Sequence, residues 1–581
     1  MARYRWWVRP TDRRTAELLQ KELSVSLPLA QLLVARGYDD PAEAYRFLHP
    51  SLSDLGDPLL LPDCERAVYR LRQAVQRKEP VLVYGDYDAD GVTSTALWLF
   101  TLRRLGVPAH PMLPRRQQEG YDLHPNAIDA ARQIGAKLVL TCDCGVRAHA
   151  AVNALNAAGL EVLITDHHQP DSTLPNALAV VNPHRPDSRY PFAELSGVGV
   201  SFRVAEALVR ALGYSVEKFR QAVLDLVTIG TVADVMPLLG ENRVIVACGL
   251  ERLMNTPRVG LRQLIEVAGL SQRRLTARDI GFIIGPRLNA AGRLEDAQLA
   301  LQLLMEENAE TARLLAKQLD QHNRERQRLQ QAILDEALAQ IEQEGLLQHR
   351  ALFVRSLGWH HGVIGLVASK LVNLFYRPTV VVSLEEEMGL ARGSMRSIPA
   401  FDLTRLLSVM KPLCQKCGGH PAAGGFVAAL DQLEELRRVI LETATQELSD
   451  EDLIPELLID MEVQGYEVNA RLLSELKLLE PYGEGNEAPL FLCRGVHVIG
   501  SRTSQDGKHL FLKIRPEGST VLDAVLWNGG DTPLEPGTRL DVVFEPEEDN
   551  YYGYGTLRWR LCDFEERLES EPPAALEFLS L

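Results

Sequence analysis

The sequence predicts an α/β protein with several domains: a parallel-sheet domain, a long helix, a smaller α/β domain and a C-terminal β-barrel. Three observations lead to this prediction. Strand-like and helix-like segments alternate between residues 62 and 181, which is typical of a parallel sheet. A charged helical segment follows, and after it strand-like and helix-like segments alternate again over a shorter stretch. Five β-rich runs come last. A chain of 581 residues is also too long for one ordinary core.

The first 50 residues are expected to form short helices, at 15–24, 28–36 and 41–47, without recognisable chemistry. The N-terminus carries arginines among aromatic residues but lacks the apolar core of a signal peptide. No later apolar run is long enough to span a bilayer. We therefore expect a cytoplasmic protein with no membrane partner.

The composition is acidic, with 62 basic and 78 acidic residues and a net charge of −16. This balance alone would count against a nucleic-acid partner, but a polyanion responds to the charge of a local groove. The eight cysteines are scattered and fit reduced thiols. Cys414, Cys417 and His420 could begin a zinc site, but no second cysteine pair has zinc-finger spacing, so free thiols are favoured. The absence of a Walker A motif predicts no nucleotide cofactor.

An acidic loop follows the first strand of the predicted parallel sheet. Residues 81–84 predict a short buried strand and residues 93–105 a helix, and Asp86, Asp88 and Asp90 lie between them. Carboxylates this close raise one another's pKa unless a cation neutralises them. A solvated acidic turn is the alternative for an isolated motif. The position between a strand and a helix favours a bound divalent metal.

Metal-ligand side chains also follow two further strands of this sheet. Strands are expected at 137–141, 161–165 and 179–181, and another apolar run at 224–232. The residues at the ends of these runs are Asp143, Asp166, His167, His168 and Asp234. Because ligands lie beyond the carboxyl ends of parallel strands, we expect these side chains to converge. Oxygen ligands with one or two imidazoles suit Mn²⁺ or Mg²⁺, and shared carboxylates can hold two ions.

Together these residues resemble the four motifs of the DHH phosphoesterases. The motifs are Asp88-Ala89-Asp90, Asp143, Asp166-His167-His168 and Asp234. Two further segments, at 285–293 and 418–425, resemble the RecJ exonucleases and their DHHA1 domain. The resemblance covers nearly the whole chain. It implies an N-terminal helical region at 1–50, a DHH catalytic domain at 51–304, a connector helix at 305–345, a DHHA1 domain at 346–452, an OB-fold domain at 453–567 and a C-terminal tail at 568–581.

The resemblance also implies a role for each residue of the metal site. The expected ligands of two Mn²⁺ or Mg²⁺ ions are Asp88, Asp90, Asp143, His167 and Asp234, with Asp143 bridging. Asp86 is expected to support them without binding metal. His168 is expected to face the scissile phosphate, or alternatively to orient His167. The residues expected to act in catalysis are therefore His168, Asp143 and Asp86.

By the same resemblance, a second set of residues is expected to bind the 5′-phosphate and DNA. Arg116 and Tyr121 lie in one loop, where surface charge is the alternative explanation. Glycines at 393 and in a loop at 418–425 would let the backbone approach a phosphate. The complete set is Arg116, Tyr121, Arg287, Asn289, Ser394, Arg396 and His420.

The remaining segments predict a spacer and a binding module. A helix at 309–345 would be about 50 Å long and suits a connector better than a dimerising coiled coil, because its apolar residues do not keep a heptad. Strands expected at 496–499, 510–514, 521–527, 540–545 and 556–561 suit an OB barrel. A DNA-binding face is expected at Arg502, Lys508, Phe511 and Lys513, with a solvated edge as the alternative.

The function implied by the resemblance is a single-stranded-DNA-specific 5′→3′ exonuclease that releases 5′-mononucleotides. It further implies roles in recombinational and mismatch repair, with a single-strand-binding protein and a DNA helicase as partners. A DHH phosphodiesterase for short RNA or cyclic dinucleotides is one alternative, although it would not need the OB module. A non-catalytic helicase scaffold is another, although it would be expected to have lost metal ligands, and all are present here.

Overall fold

The structure is a computed structural model that describes residues 3–114, 122–294, 296–532, 534–549 and 556–567. The chain forms two compact units. One unit contains Met1–His49, Leu448–Glu480 and Glu487–Leu581, and the other contains Pro50–Glu447 and Pro481–Asn486. No helix in the described ranges is both long enough and apolar enough to cross a bilayer.

The N-terminal region contains one strand and the three expected helices. They are β1 (Arg5–Val8), α1 (Arg13–Leu23), α2 (Leu27–Ala35) and α3 (Pro41–Leu48). Each helix begins after a residue whose side chain accepts a hydrogen bond from a backbone N–H of the first turn, namely Asp12, Ser26 and Asp40. These capping hydrogen bonds stabilise the helix starts, which lie within two residues of the expected ones.

The predicted parallel sheet is confirmed. Its elements, with the flanking helices, are α4 (Cys64–Arg77), β2 (Val81–Gly85), α5 (Ala89–Arg104), β3 (Ala109–Met112), α6 (Ala127–Ile134), β4 (Leu138–Cys142), α7 (His149–Ala157), β5 (Glu161–Thr165) and β6 (Ala179–Val181). The strand order is β3-β2-β4-β5-β6, and every neighbouring pair is parallel. Alternate residues of β2 and β4 pack into separate cores on the two faces of the sheet, so both faces are covered.

Helix α5 begins earlier than the sequence predicted, at Ala89 rather than at residue 93. The Asp88 carboxylate caps it by accepting hydrogen bonds from the N–H groups of Asp90 and Gly91, both at 3.0 Å. A carboxylate is favourable at a helix N-terminus, which extends the helix back into the acidic loop (residues 86–90). Asp90 therefore lies in the first helical turn.

A helical layer covers one face of this sheet. Its members are α8 (Gly197–Ala211), α9 (Val216–Ala233), α10 (Gly240–Met254), α11 (Val259–Val267), α12 (Ala277–Asp279), α13 (Gly285–Leu294) and α14 (Gln298–Met305), with a π-helical turn at Ile280–Ile284. Helices α8 and α9 pack on α5, and all three contribute to the larger core. The run at 224–232 is thus part of a helix that ends beside the sheet.

The long connector helix is α15 (Ala309–Gln343), whose 35 residues span about 50 Å. The second α/β domain follows as β7 (Leu352–Leu357), α16 (His361–Phe375), β8 (Thr379–Glu385), β9 (Leu390–Arg396), α17 (Leu403–Met410), β10 (Lys416–His420), β11 (Ala423–Ala429) and α18 (Leu433–Glu447). Its sheet has the order β10-β11-β9-β8-β7, in which only β7 and β8 are parallel.

The expectation of a glycine-rich loop at 418–425 is wrong, because these residues form the hairpin of β10 and β11. Gly418 is opposite Gly425, and Gly419 is opposite Gly424. A Cβ atom on Gly419 would lie 2.4 Å from the carbonyl oxygen of Ala423. The glycines therefore permit close approach of two strands, which is a packing role that glycine fills because it lacks a side chain.

The predicted C-terminal barrel is also confirmed. The last elements are β12 (Glu456–Ile459), β13 (Met461–Glu462), α19 (Ala470–Leu476), β14 (Phe491–Thr503), β15 (Leu510–Arg515), β16 (Leu522–Leu526), β17 (Arg539–Asp549) and β18 (Thr556–Glu566). Strands β14, β15, β16, β18 and β17 are paired in that order, and pairing of β14 with β17 closes the barrel. The interior contains Phe544 stacked on Trp559 with ring centroids 3.7 Å apart.

The N-terminal region belongs to the same compact unit as the barrel, which the sequence did not indicate. Strand β1 pairs in parallel with β12. The indole of Trp6 donates a 2.8 Å hydrogen bond to Asp563, and Arg36 pairs with Asp460 at 2.9 Å. Hundreds of residues separate these partners along the chain, so only the tertiary structure could associate them.

Candidate metal centre

The structure brings the acids and histidines of the predicted metal site together at the carboxyl edge of the parallel sheet. Asp86 and Asp88 follow β2, Asp143 follows β4, and His167 follows β5. The two remaining acids come from helices: Asp90 lies in the first turn of α5 and Asp234 caps the end of α9. Residues from four separate segments therefore meet at one edge, as the parallel topology predicted.

Their potential ligand atoms form adjoining groups. The groups, each with its ligand atoms within 4.8 Å of one another, are Asp86 with Asp88 and Asp143, Asp90 with His167 and Asp234, and Asp143 with His167 and His168. His167 Nε2 lies 3.2 Å from Asp143 Oδ1 and 3.5 Å from Asp234 Oδ2. Because Asp143 and His167 join the groups, the arrangement suits two neighbouring ions.

Two buried polar atoms at the junction of these groups have no hydrogen-bond partner in the described part of the chain. They are Asp143 Oδ1 and His167 Nε2. Buried polar atoms are normally hydrogen-bonded, so an atom left over in this way points to a site that binds a ligand. A carboxylate oxygen and an imidazole nitrogen are both suitable ligands of Mn²⁺ or Mg²⁺. The residues present thus fit the metal that the sequence predicted.

The electrostatics of the centre favour a cation. Burial, followed by the charge of Asp88, raises the pKa of Asp90 to about 7. Burial and the neighbouring carboxylates hold the pKa values of Asp143 and Asp234 well above the usual range. Burial, followed by the charge of His168, lowers the pKa of His167 to about 3. His167 is therefore neutral near pH 7 and able to bind metal, and a divalent cation would allow the carboxylates to ionise.

The N-terminus of α8 positions Asp90. The N–H groups of Gly197 and Val198 donate to its two carboxylate oxygens at 2.6 and 2.8 Å. A Cβ atom on Gly197 would lie 2.5 Å from Asp143 Oδ1, and one on Gly230 would lie 2.7 Å from Asp90 Oδ1. Glycine at both positions therefore lets two helices approach the carboxylates closely. Sequence reasoning did not identify either residue.

Asp143 has a left-handed backbone conformation with a φ of 63°. Such a φ is uncommon outside glycine and is found preferentially at functional sites. The Asp143 N–H donates a 2.9 Å hydrogen bond to the carbonyl oxygen of Thr165 on the neighbouring strand. This contact fixes the sharp turn that follows β4.

Asp166 holds the segment that carries both histidines. It accepts hydrogen bonds from the backbone N–H groups of His167 and Val146 at 2.8 and 2.9 Å. It also lies 2.8 Å from Nδ1 of His168. Burial opposes protonation of His168, but the hydrogen bond and charge of Asp166 outweigh it and raise the His168 pKa. Because Nδ1 is engaged by Asp166, the orientation of the His168 ring is fixed.

A cavity of about 270 Å³ adjoins this segment; we call it the His168 cavity. Its lining residues are Asp122, Val146, Arg147, Asp166, His168 and His420. His420 comes from the second α/β domain, so the structure brings it beside His168. Burial, followed by the charges of Arg147 and His168, lowers the pKa of His420. Arg147 and the two imidazoles can donate hydrogen bonds to an anionic group such as a phosphate, while the two lining carboxylates, Asp122 and Asp166, accept hydrogen bonds from the backbone.

Sequence reasoning missed Asp122 and Arg147. Asp122 accepts hydrogen bonds from the N–H groups of Gly145 and Leu123 at 2.7 and 2.8 Å, which ties it to the turn after β4. Arg147 donates from Nε to the carbonyl oxygen of Gln169 at 2.7 Å. Neither residue lies in a motif, and no local pattern marks them.

Ser394 and Arg396 lie next to each other on β9. Arg396 Nη1 lies 3.4 Å from Ser394 Oγ and donates to the Met395 carbonyl oxygen at 2.8 Å. A Cβ atom on Gly365 of α16 would lie 3.0 Å from Ser394 Oγ and 3.3 Å from Arg396 Nη2. The two predicted phosphate-binding side chains thus share one small site against α16.

Arg287 and Asn289 do not line the His168 cavity but contact other residues. Arg287 pairs with Asp320 of the connector at 2.9 Å. Asn289 Oδ1 accepts a 2.7 Å hydrogen bond from the N–H of Ala89, in the acidic loop. The expected DNA-binding residues Arg116 and Tyr121 lie outside the described residues.

On the barrel, the expected DNA-binding face contains an aromatic cluster. The Arg502 guanidinium lies 4.9 Å from the centre of the Phe511 ring, and that ring packs edge-on against Trp527 at 6.2 Å. Lys513 pairs with Asp523 at 2.7 Å, and Lys508 is exposed. Trp527, which is 42% exposed, was not among the expected residues.

Models of three protein families match the chain. The DHH family N-terminal domain matches residues 80–231, the DHHA1 domain matches 349–446, and the RecJ OB domain matches 459–563. These segments contain the parallel sheet, the second α/β domain and the barrel, in that order.

Relatives and solved structures agree with these matches. The chain is 39% identical to single-stranded-DNA-specific exonuclease RecJ of Bacillus subtilis over 94% of this chain and 68% of that protein. It is 35% identical to the protein of the same name from Dickeya dadantii over 92% of this chain and 95% of that protein.

The structure resembles that of RecJ from Thermus thermophilus in complex with Mn²⁺, with a TM-score of 0.84 and 31% identity over 97% of this chain and 80% of that one. The Mg²⁺ complex of the same protein gives a TM-score of 0.78 at 29% identity, over 97% of this chain and 79% of that one. The chain therefore belongs to the RecJ family of DHH-domain proteins.

Proposed function

We propose that this chain is a metal-dependent exonuclease that degrades single-stranded DNA from the 5′ end and releases 5′-mononucleotides. One observation carries the proposal: carboxylates and an imidazole from four segments converge into adjoining ligand groups beside a cavity lined by Arg147, His168 and His420. The names of its relatives, single-stranded-DNA-specific exonucleases, support the substrate. The Mn²⁺ and Mg²⁺ complexes of a RecJ protein support the cofactors.

We assign one ion to Asp86, Asp88 and Asp143 and the other to Asp90, His167 and Asp234, following the two groups that share no residue. Asp86 is placed here as a ligand, which differs from the indirect support expected from the sequence. When bound, such a pair of ions activates water and stabilises charge on the phosphodiester.

The protein residues around the ions orient the scissile phosphate. We assign to His168 Nε2 a hydrogen bond to a phosphate oxygen, because Asp166 engages Nδ1 and fixes the ring. Arg147 and His420 line the same cavity and would place positive charge or hydrogen-bond donors beside the phosphate. Asp166 acts through His167 and His168 and is therefore a positioning residue.

The 5′→3′ direction requires recognition of the strand's 5′ end. We assign the 5′-terminal phosphate to Ser394 and Arg396, which lie together on β9 against Gly365. Arg116 would contribute by resemblance. On the barrel, Arg502, Phe511 and Trp527 offer a cation and aromatic faces on which bases can stack.

By resemblance, we also propose that a single-strand-binding protein and a DNA helicase act with this chain in recombinational and mismatch repair. A helicase would supply the single strand that the nuclease requires. Faster digestion of a duplex on adding a helicase and ATP would support this, and an unchanged rate would contradict it.

The direct test uses single-stranded DNA labelled at the 5′ or the 3′ end, incubated with the chain and Mn²⁺ or Mg²⁺. A 5′ label should appear at once in mononucleotides, while a 3′ label should remain in shortening fragments. A duplex should be degraded far more slowly. Equal degradation from both ends would contradict the proposed polarity.

The variant His168→Ala tests the role of that ring. Its metal content should match that of the unchanged protein, while turnover falls by about 10²–10³-fold. The matched control is His184→Ala, which replaces a histidine 16 residues further along the chain that contacts Gln169 and belongs to none of the metal groups of the described residues. Loss of metal in His168→Ala would instead assign this ring to the ions.

A further inference from the structure

A six-residue segment from the sequence of the barrel region packs within the compact unit that contains the metal centre. Residues 481–486 belong to that unit, whereas their neighbours Glu480 and Glu487 belong to the unit that contains the barrel. The match to the RecJ OB domain, residues 459–563, includes all of them. We call residues 481–486 the inserted turn.

Hydrogen bonds within the inserted turn fix its shape. The N–H of Gly483 donates to the carbonyl oxygen of Asn486 at 3.0 Å, and the N–H of Asn486 donates to the carbonyl oxygen of Gly483 at 3.1 Å. Gly485, the third residue of this β-turn, has a φ of 70°, which favours glycine or asparagine at that position. The buried side-chain amide of Asn486 donates a 2.9 Å hydrogen bond to the carbonyl oxygen of Pro481.

The inserted turn contacts the loop that follows α9. The N–H of Leu238 donates a 2.7 Å hydrogen bond to the carbonyl oxygen of Glu484. A Cβ atom on Gly483 would lie 2.6 Å from Leu238 Cδ1, so the leucine side chain packs directly on this glycine. Leu238 is buried in a small apolar cluster on which Val232 also packs. Val232 lies in the last turn of α9, two residues before Asp234, so these contacts connect the inserted turn with the segment that carries a metal ligand.

The residue directly after Asp234 has a strained backbone. Val235 has a φ of 57°, and its side chain is 64% exposed. A left-handed conformation is an outlier for a β-branched residue and persists only where the surrounding structure fixes it. Packing of the exposed Val235 side chain cannot fix it, so neighbouring contacts have to do so. Asn242 of α10 donates to the carbonyl oxygen of Pro237 at 3.1 Å, and the inserted turn holds Leu238.

We propose that the inserted turn is a positioning element of the metal centre. It fixes the loop after α9 and thereby holds Asp234 in the geometry that binds the second ion. Gly483 contributes the close approach to Leu238, and Gly485 contributes the positive φ of the turn. These residues act through Asp234 and are therefore positioning residues. The inference rests on the metal site of the proposed function and adds to it a segment from the barrel's sequence.

The test compares Mn²⁺ affinities of variants of the full chain by calorimetric titration. Gly485→Ala imposes a left-handed conformation that alanine adopts only with strain, and it should weaken Mn²⁺ binding about five- to tenfold. The Mn²⁺ concentration that gives half the maximal exonuclease rate should rise by the same factor, and saturating Mn²⁺ should restore the rate. Gly485→Asn adds the same Cβ atom but tolerates the positive φ, so it should restore most of the affinity.

A second variant disturbs the same loop by a different route. Gly483→Ala would place a Cβ atom against the buried Leu238 side chain and should also weaken Mn²⁺ binding. Thermal melts in EDTA report whether each variant is folded without metal.

The matched control is Gly518→Ala, in a β-turn of the barrel. The N–H of Ser519 donates to the carbonyl oxygen of Pro516 at 3.1 Å, and Gly518 is the third residue of that turn, with a φ of 69°. A Cβ atom on Gly518 would have no neighbour within 4 Å among the described residues. The control therefore imposes the same backbone strain away from the loop after α9 and should leave Mn²⁺ affinity unchanged.

Two outcomes overturn this inference alone, given normal Mn²⁺ binding by the unchanged protein. One is that Gly485→Ala and Gly483→Ala bind Mn²⁺ as tightly as the unchanged protein. The other is that Gly518→Ala weakens binding as much as Gly485→Ala, which would make the effect one of general stability. If the unchanged protein itself bound no Mn²⁺, the metal site of the proposed function would fail, and this inference with it.

Discussion

The DHH domain buries two clusters of charged side chains. In one, positive and negative charges pair with each other, and in the other, carboxylates predominate. The first, the Arg203 cluster, contains Tyr190, Arg203, Glu206, Arg220 and Glu241. Arg203 is fully buried and donates hydrogen bonds of 3.0 Å to Glu206 and to the Tyr190 hydroxyl. Arg220 pairs with Glu206 through contacts of 2.8 and 2.9 Å. Two guanidinium groups therefore meet two carboxylates, and the cluster neutralises itself.

The metal centre is composed differently. Its candidate groups contain five carboxylates and two histidines. His167 approaches Asp143 at 3.2 Å, but its pKa of about 3 means that this contact is not an ion pair near pH 7. A buried charge without a partner is strongly destabilising, so the excess charge has to be neutralised by something bound. The comparison distinguishes a cluster that stabilises the fold from one that binds a ligand.

Removing a carboxylate from the metal centre should have the largest effect, and on activity alone. Asp143→Asn should lower the exonuclease rate about 10³-fold or more, because Asp143 belongs to two of the ligand groups. In metal-free buffer the melting temperature should stay the same or rise, because a repelled carboxylate is gone. Exonuclease assays with metal measure the rate, and thermal melts in EDTA measure the melting temperature. A large drop in melting temperature would show that Asp143 stabilises the fold as Arg203 does.

Breaking the balanced cluster should have the reverse outcome. Arg203→Met leaves two buried carboxylates without their central partner and should reduce the free energy of unfolding by about 3–5 kcal/mol. Arg210→Met, which breaks an exposed pair with Asp57, should cost less than about 1 kcal/mol. Urea unfolding measures both values. Equal effects of the two variants would remove the contrast between the clusters.

The close approach of helices to the carboxylates can be tested with an added methyl group. Gly197→Ala would place a Cβ atom 2.5 Å from Asp143 Oδ1 and should weaken metal binding about 10–100-fold. Gly281→Ala is the control, because its Cβ atom would meet Val232 only at 3.8 Å. Calorimetric titration with Mn²⁺ measures the affinity. Unchanged affinity in Gly197→Ala would mean that the centre does not need this close packing.

Substitution of Asn289 should give the smallest effect. It distinguishes a role in holding the acidic loop from a role in binding DNA. The hydrogen bond to Ala89 N–H predicts that Asn289→Ala loosens the acidic loop and weakens Mn²⁺ binding by about tenfold without DNA present. The sequence-based assignment to DNA predicts normal metal affinity and weaker DNA binding. Titrations of each ligand on the same variant decide between them. Gln298→Ala, on the neighbouring helix α14 and outside the acidic loop, is the control and should change neither.

Much of the metal centre could be predicted because of strand topology. The acids and histidines after β2, β4 and β5 are far apart in sequence, but parallel strands place their carboxyl ends at one edge. The family and the metal-dependent nuclease class expected from these motifs are confirmed by the relatives and solved structures. Two local features differ from the prediction. The Asp88 cap extends α5 into the acidic loop, and the glycines expected in a loop form a hairpin.

The sequence by itself determined which residue types form the metal centre and which strands carry them, because hydrophobic periodicity and motif spacing are properties of the local chain. Only the tertiary structure decided that Asp90 is held by α8, that Arg147 and His420 share a cavity with His168, and that Asn289 contacts the acidic loop. These contacts join segments tens to hundreds of residues apart. Their geometry depends on how helices and domains pack, and no local pattern encodes it.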